Sequence, residues 1–288
     1  MKNKDTGGTP GENSYPYQQF LPANALAQYV ECFWILQAPD HLSRASERLP
    51  ADGRIEVLFN FAGPSKRLRA DGSGQPHLQR TSFLMGGRSR GYVVEQIGAS
   101  HYVAVRFRPG GLFPFTGISL AEVVDQIIDL DLIWGKAVNG LEEQLFEAVS
   151  PQAIVEILSR TLLERVQDIP HLRQIQTALR MIDISCGNVS VRDLADQCGW
   201  SQKHFERLFA QFVGFLPKRY ARISRFQQVS AQVARHSDNR PLGKLAADFG
   251  YFDQSHFVKD FTTFTGVPPS VFFSTVNHIV EYLSDPSV

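Results

Sequence analysis

The chain has 288 residues, 43% of them apolar, with 29 Lys and Arg against 29 Asp and Glu. That balance supplies enough apolar surface for packed cores in about two domains and excludes a crude polycation that coats nucleic acid without selection. No stretch approaches about 18 unbroken apolar residues, which excludes a helical membrane span, and Cys32, Cys186 and Cys198 show neither metal-ligand spacing nor a disulfide framework.

Residues 1–16 are expected to form a disordered polar tail. The opening MKNKDTGGTPGENSYPYQQF lacks the apolar run of a signal peptide, so a cytoplasmic protein is expected. From residue 17 to 116, short β-rich runs alternate with turn residues. Tyr29–Gln37, Arg54–Phe61, Tyr92–Ile97 and His101–Phe107 are predicted strands. Asp52-Gly53, Ala62-Gly63-Pro64, Asp71-Gly72, Gly86-Gly87 and Pro109-Gly110-Gly111 punctuate them. Short strands spaced this way predict a β-barrel or sandwich. From Ser119 the pattern turns helical through LAEVVDQII, LEEQLFEAV and PQAIVEILSRTLLERV, with Ser150-Pro151 as a sharp helix start. The segment Asp168–His171 is the predicted hinge, closing a front domain at 17–168.

The front half carries little that points to chemistry. His41, His77 and His101 are scattered and are expected to be surface or hydrogen-bonded histidines. Arg106 and Arg108 alternate about Phe107 and are expected to share one strand face, either facing solvent or clamping an anion by bidentate hydrogen bonds. Trp34, with Phe33, Phe59 and Phe61, belongs either to a pocket lining or to plain core. Trp34, Arg106 and Arg108 are the candidate effector-binding residues. No catalytic residue, cofactor or metal site is expected.

The rear half is dominated by one pattern written twice. Ser190 is a predicted N-cap for the helix VRDLADQC, which stops at Gly199. Trp200 follows in the turn and Ser201 caps the next helix. There Phe205, Leu208, Phe209 and Phe212 fall at i, i+3, i+4 and i+7, an apolar stripe, while Gln202, Lys203, Glu206, Arg207 and Gln211 occupy the opposite face. Gly214 ends that helix. PKRYARISRFQQVSAQVARH then predicts a continuous linker helix, with Tyr220, Ile223, Phe226, Val229 and Val233 along its apolar side. Lys218, Arg219, Arg222 and Arg225 cluster near its start, as a solvated face, as phosphate contacts or as a dock for an acidic domain. The second copy, LGKLAADF before Gly250, continues with Asp253 as a cap, an inner stripe of Phe257, Phe261 and Phe264, and an outer face of Gln254, Ser255, Lys259 and Thr262. Leu194-Ala195 answers Leu245-Ala246 and Gly199 answers Gly250 at one offset. After the turn the offset grows by one, and His204-Phe205 matches His256-Phe257, Phe209 Phe261, Phe212 Phe264, Gly214 Gly266 and Pro217 Pro269. Helix, tight turn, helix with a polar outer face on the second helix is a DNA-binding arrangement. Charge is divided to match: residues 1–170 carry 16 Lys and Arg against 19 Asp and Glu, a net −3, and residues 171–288 carry 13 against 10, a net +3.

These residues resemble the DNA-binding domain of AraC/XylS-type transcription regulators, over roughly 171–275, with GYFDQSHFVKDFTTFTGVPPSVF lying on that family's signature region. The resemblance implies an all-helical domain of two helix-turn-helix units on one linker helix, whose recognition helices enter successive major grooves about one helical turn apart. Carried over by position, the base-facing residues are Gln202, Lys203, Glu206 and Arg207 in the first unit and Gln254, Ser255 and Lys259 in the second, with Lys218 and Arg219 added from the basic cluster. Asp260 and Thr262 stand where the family often has basic residues, and Phe272-Phe273 replaces a common Tyr-Arg ending, which implies a weaker hold on DNA by the second unit. The front half resembles the domains found ahead of such units, in the subgroup with LPADGRIEVLFNF and RFRPGG segments. There a cupin-like barrel often binds an effector and adjoining helices often pair two chains.

The expected protein is α+β: a cupin-like barrel or sandwich with trailing helices, then an all-α DNA-binding domain at 171–275 and a C-terminal tail at 276–288. Its expected partners are double-stranded DNA, a small-molecule effector, a second copy of the chain and, if it activates, RNA polymerase. The alternative is a DNA-targeted enzyme of the alkylation-repair type, which needs a metal-tuned reactive cysteine cluster.

Overall fold

The computed structural model describes residues 17–38, 46–62, 65–69, 77–79, 81–96, 98–235 and 242–275. The two tails, His41, Gly63-Pro64, Asp71-Gly72 and the side chains of His77, Val233, Leu245 and Phe273 lie outside the described residues.

The front half is built from β1 (Tyr17–Phe20), β2 (Val30–Ala38), β3 (Ser46–Leu49), β4 (Ile55–Asn60), β5 (Ser65–Arg69), β6 (His77–Gln79), β7 (Ser82–Met85), β8 (Tyr92–Gln96), β9 (Ser100–Phe107) and β10 (Ile127–Asp129). They form two antiparallel sheets, one in the order β1-β2-β9-β4-β7-β10 and the other β3-β8-β5-β6. Alternation along the larger sheet separates two apolar faces. Phe33, Ile35, Val57, Phe59, Val103, Val105 and Phe107 join the main core. Cys32, Trp34, Leu58, Phe83, Met85, Tyr102 and Ala104 make a second cluster on the other face.

The segment LAEVVDQII departs from its predicted helix. It makes one 3-10 turn over Leu120–Val123 and then becomes β10, with Ile127 opposite Met85 on the edge of the large sheet. Asp125 ends the helical run at φ 60°. Its carboxylate accepts from the Ser89 backbone N–H at 2.8 Å and from the Ser89 hydroxyl at 2.5 Å. The tertiary anchor outweighs a helical spacing of apolar residues. The trailing helices are α1 (Asp131–Trp134), α2 (Ala137–Phe146) and α3 (Pro151–Arg165). α3 starts where the sequence placed it, with the Ser150 hydroxyl accepting from the Ala153 N–H at 3.2 Å.

The rear half is helical: α4 (Leu172–Ile184), α5 (Val191–Cys198), α6 (Gln202–Val213), α7 (Pro217–Arg235), α8 (Leu242–Asp248), α9 (Gln254–Thr265) and α10 (Pro269–Thr275). The chain is therefore α+β, a two-sheet β unit followed by a helical one. The predicted hinge falls in the irregular stretch between α3 and α4, yet the core does not break there. One buried cluster runs from Phe33 and Phe107 through Phe209, Phe215 and Tyr220 to Phe261 and Phe264. Phe113 stacks on Phe212 with ring centroids 4.2 Å apart. The Ala51 N–H donates to the Phe264 carbonyl at the end of α9 at 2.7 Å. Gly91 meets the last turn of α9 so closely that a Cβ there would lie 2.6 Å from the Thr265 carbonyl carbon. The halves are packed flank to flank.

Candidate nucleic-acid interface

Local signals place the first unit. The Ser190 hydroxyl accepts from the Asp193 N–H at 3.0 Å, and the Ser201 hydroxyl from the His204 N–H at 3.4 Å, so both helices begin on capped first turns. Phe205, Leu208, Phe209, Phe212 and Val213 of α6 are buried. The opposite face leaves Gln202, Lys203 and Arg207 exposed and Glu206 half-buried. Gln202 Nε2 donates to Glu206 Oε1 at 2.9 Å, and Arg207 Nη2 lies 3.4 Å from His204 Nδ1. The four residues form one continuous polar strip.

The second unit repeats this geometry. Asp253 caps α9 by accepting from the His256 N–H at 2.7 Å, and Phe257, Phe261 and Phe264 are fully buried. Gln254, Ser255 and Lys259 are exposed on the outer face, and Thr262 is half-buried. The two turns superimpose bond for bond up to one point. Gly199 and Gly250 both sit at φ 73°, the left-handed region glycine adopts without strain. The Trp200 N–H reaches the Ala195 carbonyl and the Tyr251 N–H the Ala246 carbonyl, each at 3.0 Å. Trp200 and Tyr251 are thus equivalent, as are the caps Ser201 and Asp253. The single residue responsible for the growing offset is Phe252.

The basic cluster on α7 divides by role. Lys218 is exposed. Arg219 is half-buried: its Nη2 donates to the front-half Ser89 carbonyl at 2.5 Å and its guanidinium lies 5.4 Å from the Phe264 ring centre. Arg222 holds Asp260 through two hydrogen bonds of 2.5 and 3.3 Å. Asp260 is buried and turned toward the linker, where Arg222 balances its charge. Arg225 bridges the units. It donates to the Gly187 carbonyl at 2.9 Å and Asn188 Oδ1 at 2.8 Å on the first side, and to the Gly250 carbonyl at 3.4 Å on the second. These bonds tie the loop before α5 and the Gly250 turn of the second unit to one point of the linker helix.

Two open grooves flank α9. One of about 920 Å³ is lined by Gln254, Ser255, Lys259, Arg219 and, from the front half, Arg90. The other, about 680 Å³, is lined by Lys218, Arg222, Arg225, His256 and Lys259 and lies between the units. Arg90 escaped the sequence reading because nothing local ties an arginine in the loop between β7 and β8 to a helix beginning at residue 254.

The front-half candidates do not form one site. Arg106 is buried at the end of β9 and donates from Nε to Glu56 Oε1 at 2.7 Å. Trp34 Nε1 donates to the same oxygen at 3.1 Å. Arg108 lies past the strand end, exposed, with Nε on the Ala27 carbonyl at 2.8 Å. The expected shared face of the two arginines is therefore corrected: the strand ends at Phe107, and Arg106 faces inward rather than to solvent. Burial alone would raise the Glu56 carboxyl, but Arg106, Arg88 and the two donated hydrogen bonds outweigh it and hold it below the usual carboxylate range. His101 is half-buried beside Gln37 and Phe61. Cys32 is fully buried, and burial pushes its thiol up to about 12, which leaves almost no thiolate for chemistry at neutral pH.

Residues 18–129 match a family described as a domain of unknown function (DUF6597), and residues 194–275 match one described as a helix-turn-helix domain. A probable polyketide synthase 22 of Dictyostelium discoideum is 31% identical over 113 residues, 36% of this chain, and the chain spans 4% of that curated relative's length. Among solved structures, ToxT from Vibrio cholerae aligns over 85% of this chain and 98% of its own at 9% identity and a TM-score of 0.45. ToxT from Vibrio cholerae O395 bound to (E)-4-(8-methylnaphthalen-1-yl)but-3-enoic acid aligns over 90% and 98% at 11% identity and 0.45. The cupin domain of an XRE family transcriptional regulator from Enterobacter cloacae covers 33% of this chain at 15% identity and 0.24.

Two capped helix-turn-helix units on one linker helix, behind a β domain, define the architecture, and the helical part is of a DNA-binding class. The family match is that of the domain: residues 194–275, which hold both helix-turn-helix turns, are a helix-turn-helix domain.

Proposed function

We propose that the protein is a sequence-specific transcription regulator in which α6 and α9 read two segments of one DNA site, while the front half governs when they do so. The observation that carries this reading is the pair of outward polar strips, Gln202, Lys203, Glu206 and Arg207 on α6 and Gln254, Ser255 and Lys259 on α9, carried on two units joined by the linker helix α7. Recognition helices placed this way enter successive major grooves on one face of the duplex. Lys218 adds a phosphate contact at the edge of the groove between the units.

The division of labour follows 17–168 and 171–275. In the front half, an effector is the expected input, and Trp34 and Arg106, which converge on Glu56, are the candidate residues the fold brings together. The exposed Leu132, Phe146, Val149 and Leu163 on and beside the trailing helices suit pairing with a second chain. RNA polymerase is a partner if the protein activates. No described helix is long and apolar enough to cross a membrane, which fits a cytoplasmic regulator. No bond is made or broken in this reading. The alkylation-repair alternative needs a reactive cysteine, and the buried, raised Cys32 weighs against it.

Arg207 supplies the test. Arginine bidentate to guanine discriminates by roughly 1–3 kcal/mol. Arg207→Ala in the full chain is expected to lose about that much on a site obtained by in vitro selection, with little change on random duplex at the same salt. Equal loss on both would reduce Arg207 to a phosphate contact, and a full chain that selects no sequence would remove the regulator reading altogether.

A further inference from the structure

We infer that Phe252, the one residue by which the second turn exceeds the first, is a direct reader of DNA and packs on a thymine methyl group at the mouth of the major groove. The inference rests on the DNA-binding reading and deepens it.

Its first support is exposure. Phe252 is 92% exposed. Among the described aromatic residues of the rear half it alone is exposed; the others are buried or half-buried. The equivalent positions around it are all occupied by parts that serve the fold. Tyr251 is buried against His256 and Phe257 with ring centroids 5.4 and 5.2 Å away, as Trp200 is packed against His204 at 5.4 Å in the first unit. Asp253 is the helix cap. Phe252 is therefore not needed to close the turn, since the first unit makes the same turn without it. It serves no core, and it holds a large ring in water.

Its second support is place. Phe252 immediately precedes the cap of α9, and the exposed Gln254 and Ser255 stand in the first turn that follows. In helix-turn-helix proteins the N-terminal residues of the recognition helix meet the base edges. A ring one step before that cap sits at the rim of the groove. Among the base edges of the major groove, the thymine C5-methyl is the apolar feature, and phenylalanine is one of the side chains suited to contact it. Phosphate offers a benzyl group nothing. The first unit, with Ser201 following Trp200 directly, has no such ring, so the two units would read chemically different features: polar edges with α6, and polar edges plus one methyl with α9.

The test uses the full chain and a site obtained by in vitro selection. Each thymine of the segment read by α9 is replaced in turn by deoxyuridine, which removes only the methyl. Wild type is expected to weaken about fourfold at one thymine, the value of one buried methyl-sized group, and Phe252→Ala to bind both versions equally. Phe252→Ala should melt like wild type, because the ring buries almost nothing. Phe252→Leu should retain part of the thymine preference. The inference is overturned if no thymine there responds to loss of its methyl, or if Phe252→Ala keeps the wild-type response. It is also overturned, in favour of a protein-contacting ring, if Phe252→Ala binds DNA unchanged but loses transcription with RNA polymerase present. A full chain that selects no sequence overturns the regulator reading itself, a result distinct from selection that ignores the methyl.

Discussion

Phe261→Ala is expected to destabilise the second helix-turn-helix unit by about 3–5 kcal/mol, the cost of truncating a buried phenylalanine. Phe261 is fully buried, with ring centroids 5.2 Å from Phe226 of the linker helix, 5.5 Å from Phe257 and 5.1 Å from Phe272 of the last helix. One ring thus joins α7, α9 and α10. Its loss removes the surface on which α9 is seated, so the recognition strip should lose its orientation before the front half is affected. Hydrogen exchange should show α9 and α10 opening while β2, β4 and β9 stay protected, and binding to the selected site should fall to the level of random duplex. A Phe261→Ala protein that folds and binds as wild type would show that α9 packs by another face.

Glu56→Gln should be as costly for the front half, again about 3–5 kcal/mol, because it removes the charge of the buried carboxylate to which both Arg106 and Trp34 donate. The substituted amide would keep an acceptor for Trp34 or Arg106 but not the charge. The double replacement Glu56→Gln with Arg106→Met should recover most of the loss, since an apolar side chain in place of a buried ion is often neutral or stabilising. The pH dependence has a defined sign. The folded Glu56 carboxyl lies below its unfolded value, so its contribution is fully present above the ordinary carboxylate range, near about 4.3, and is lost as pH falls through the depressed folded value. Chemical denaturation from neutral to acid pH should show wild type losing stability that Glu56→Gln has already lost. A Glu56→Gln protein with wild-type stability and an unchanged acid limb would sink this account.

The parts of the interface that were legible in sequence are those specified within a few residues. Ser190, Ser201 and Asp253 cap their own helices, Gly199 and Gly250 end the preceding ones, and the phenylalanine stripes repeat at helical spacing. What escaped depends on partners far along the chain. Asp260 stands where the first unit has Leu208 on the inner stripe, and a charge is tolerated there because Arg222, on another helix, pairs with it. Arg225 looked like a solvated or phosphate-seeking cation, and its acceptors are carbonyls at residues 186, 187 and 250. The segment LAEVVDQII has apolar residues at helical spacing, yet the open edge of β7 and the Asp125–Ser89 bonds make it a turn and a strand. The extra residue in the second turn was visible as a change of offset, but only the structure shows that the addition is a ring left in water.

The unbroken core between the halves limits how freely either can be exchanged. A module that merely trails on a flexible tether can be exchanged between proteins at will. Here Gly91 lies against the Thr265 backbone, Ala51 caps the end of α9 and Phe113 stacks on Phe212. A new front domain grafted onto this DNA reader would need a residue without a side chain at the first place, a free N–H at the second and a flat ring at the third. Each residue on one side of the seam therefore constrains what its neighbour across it can become.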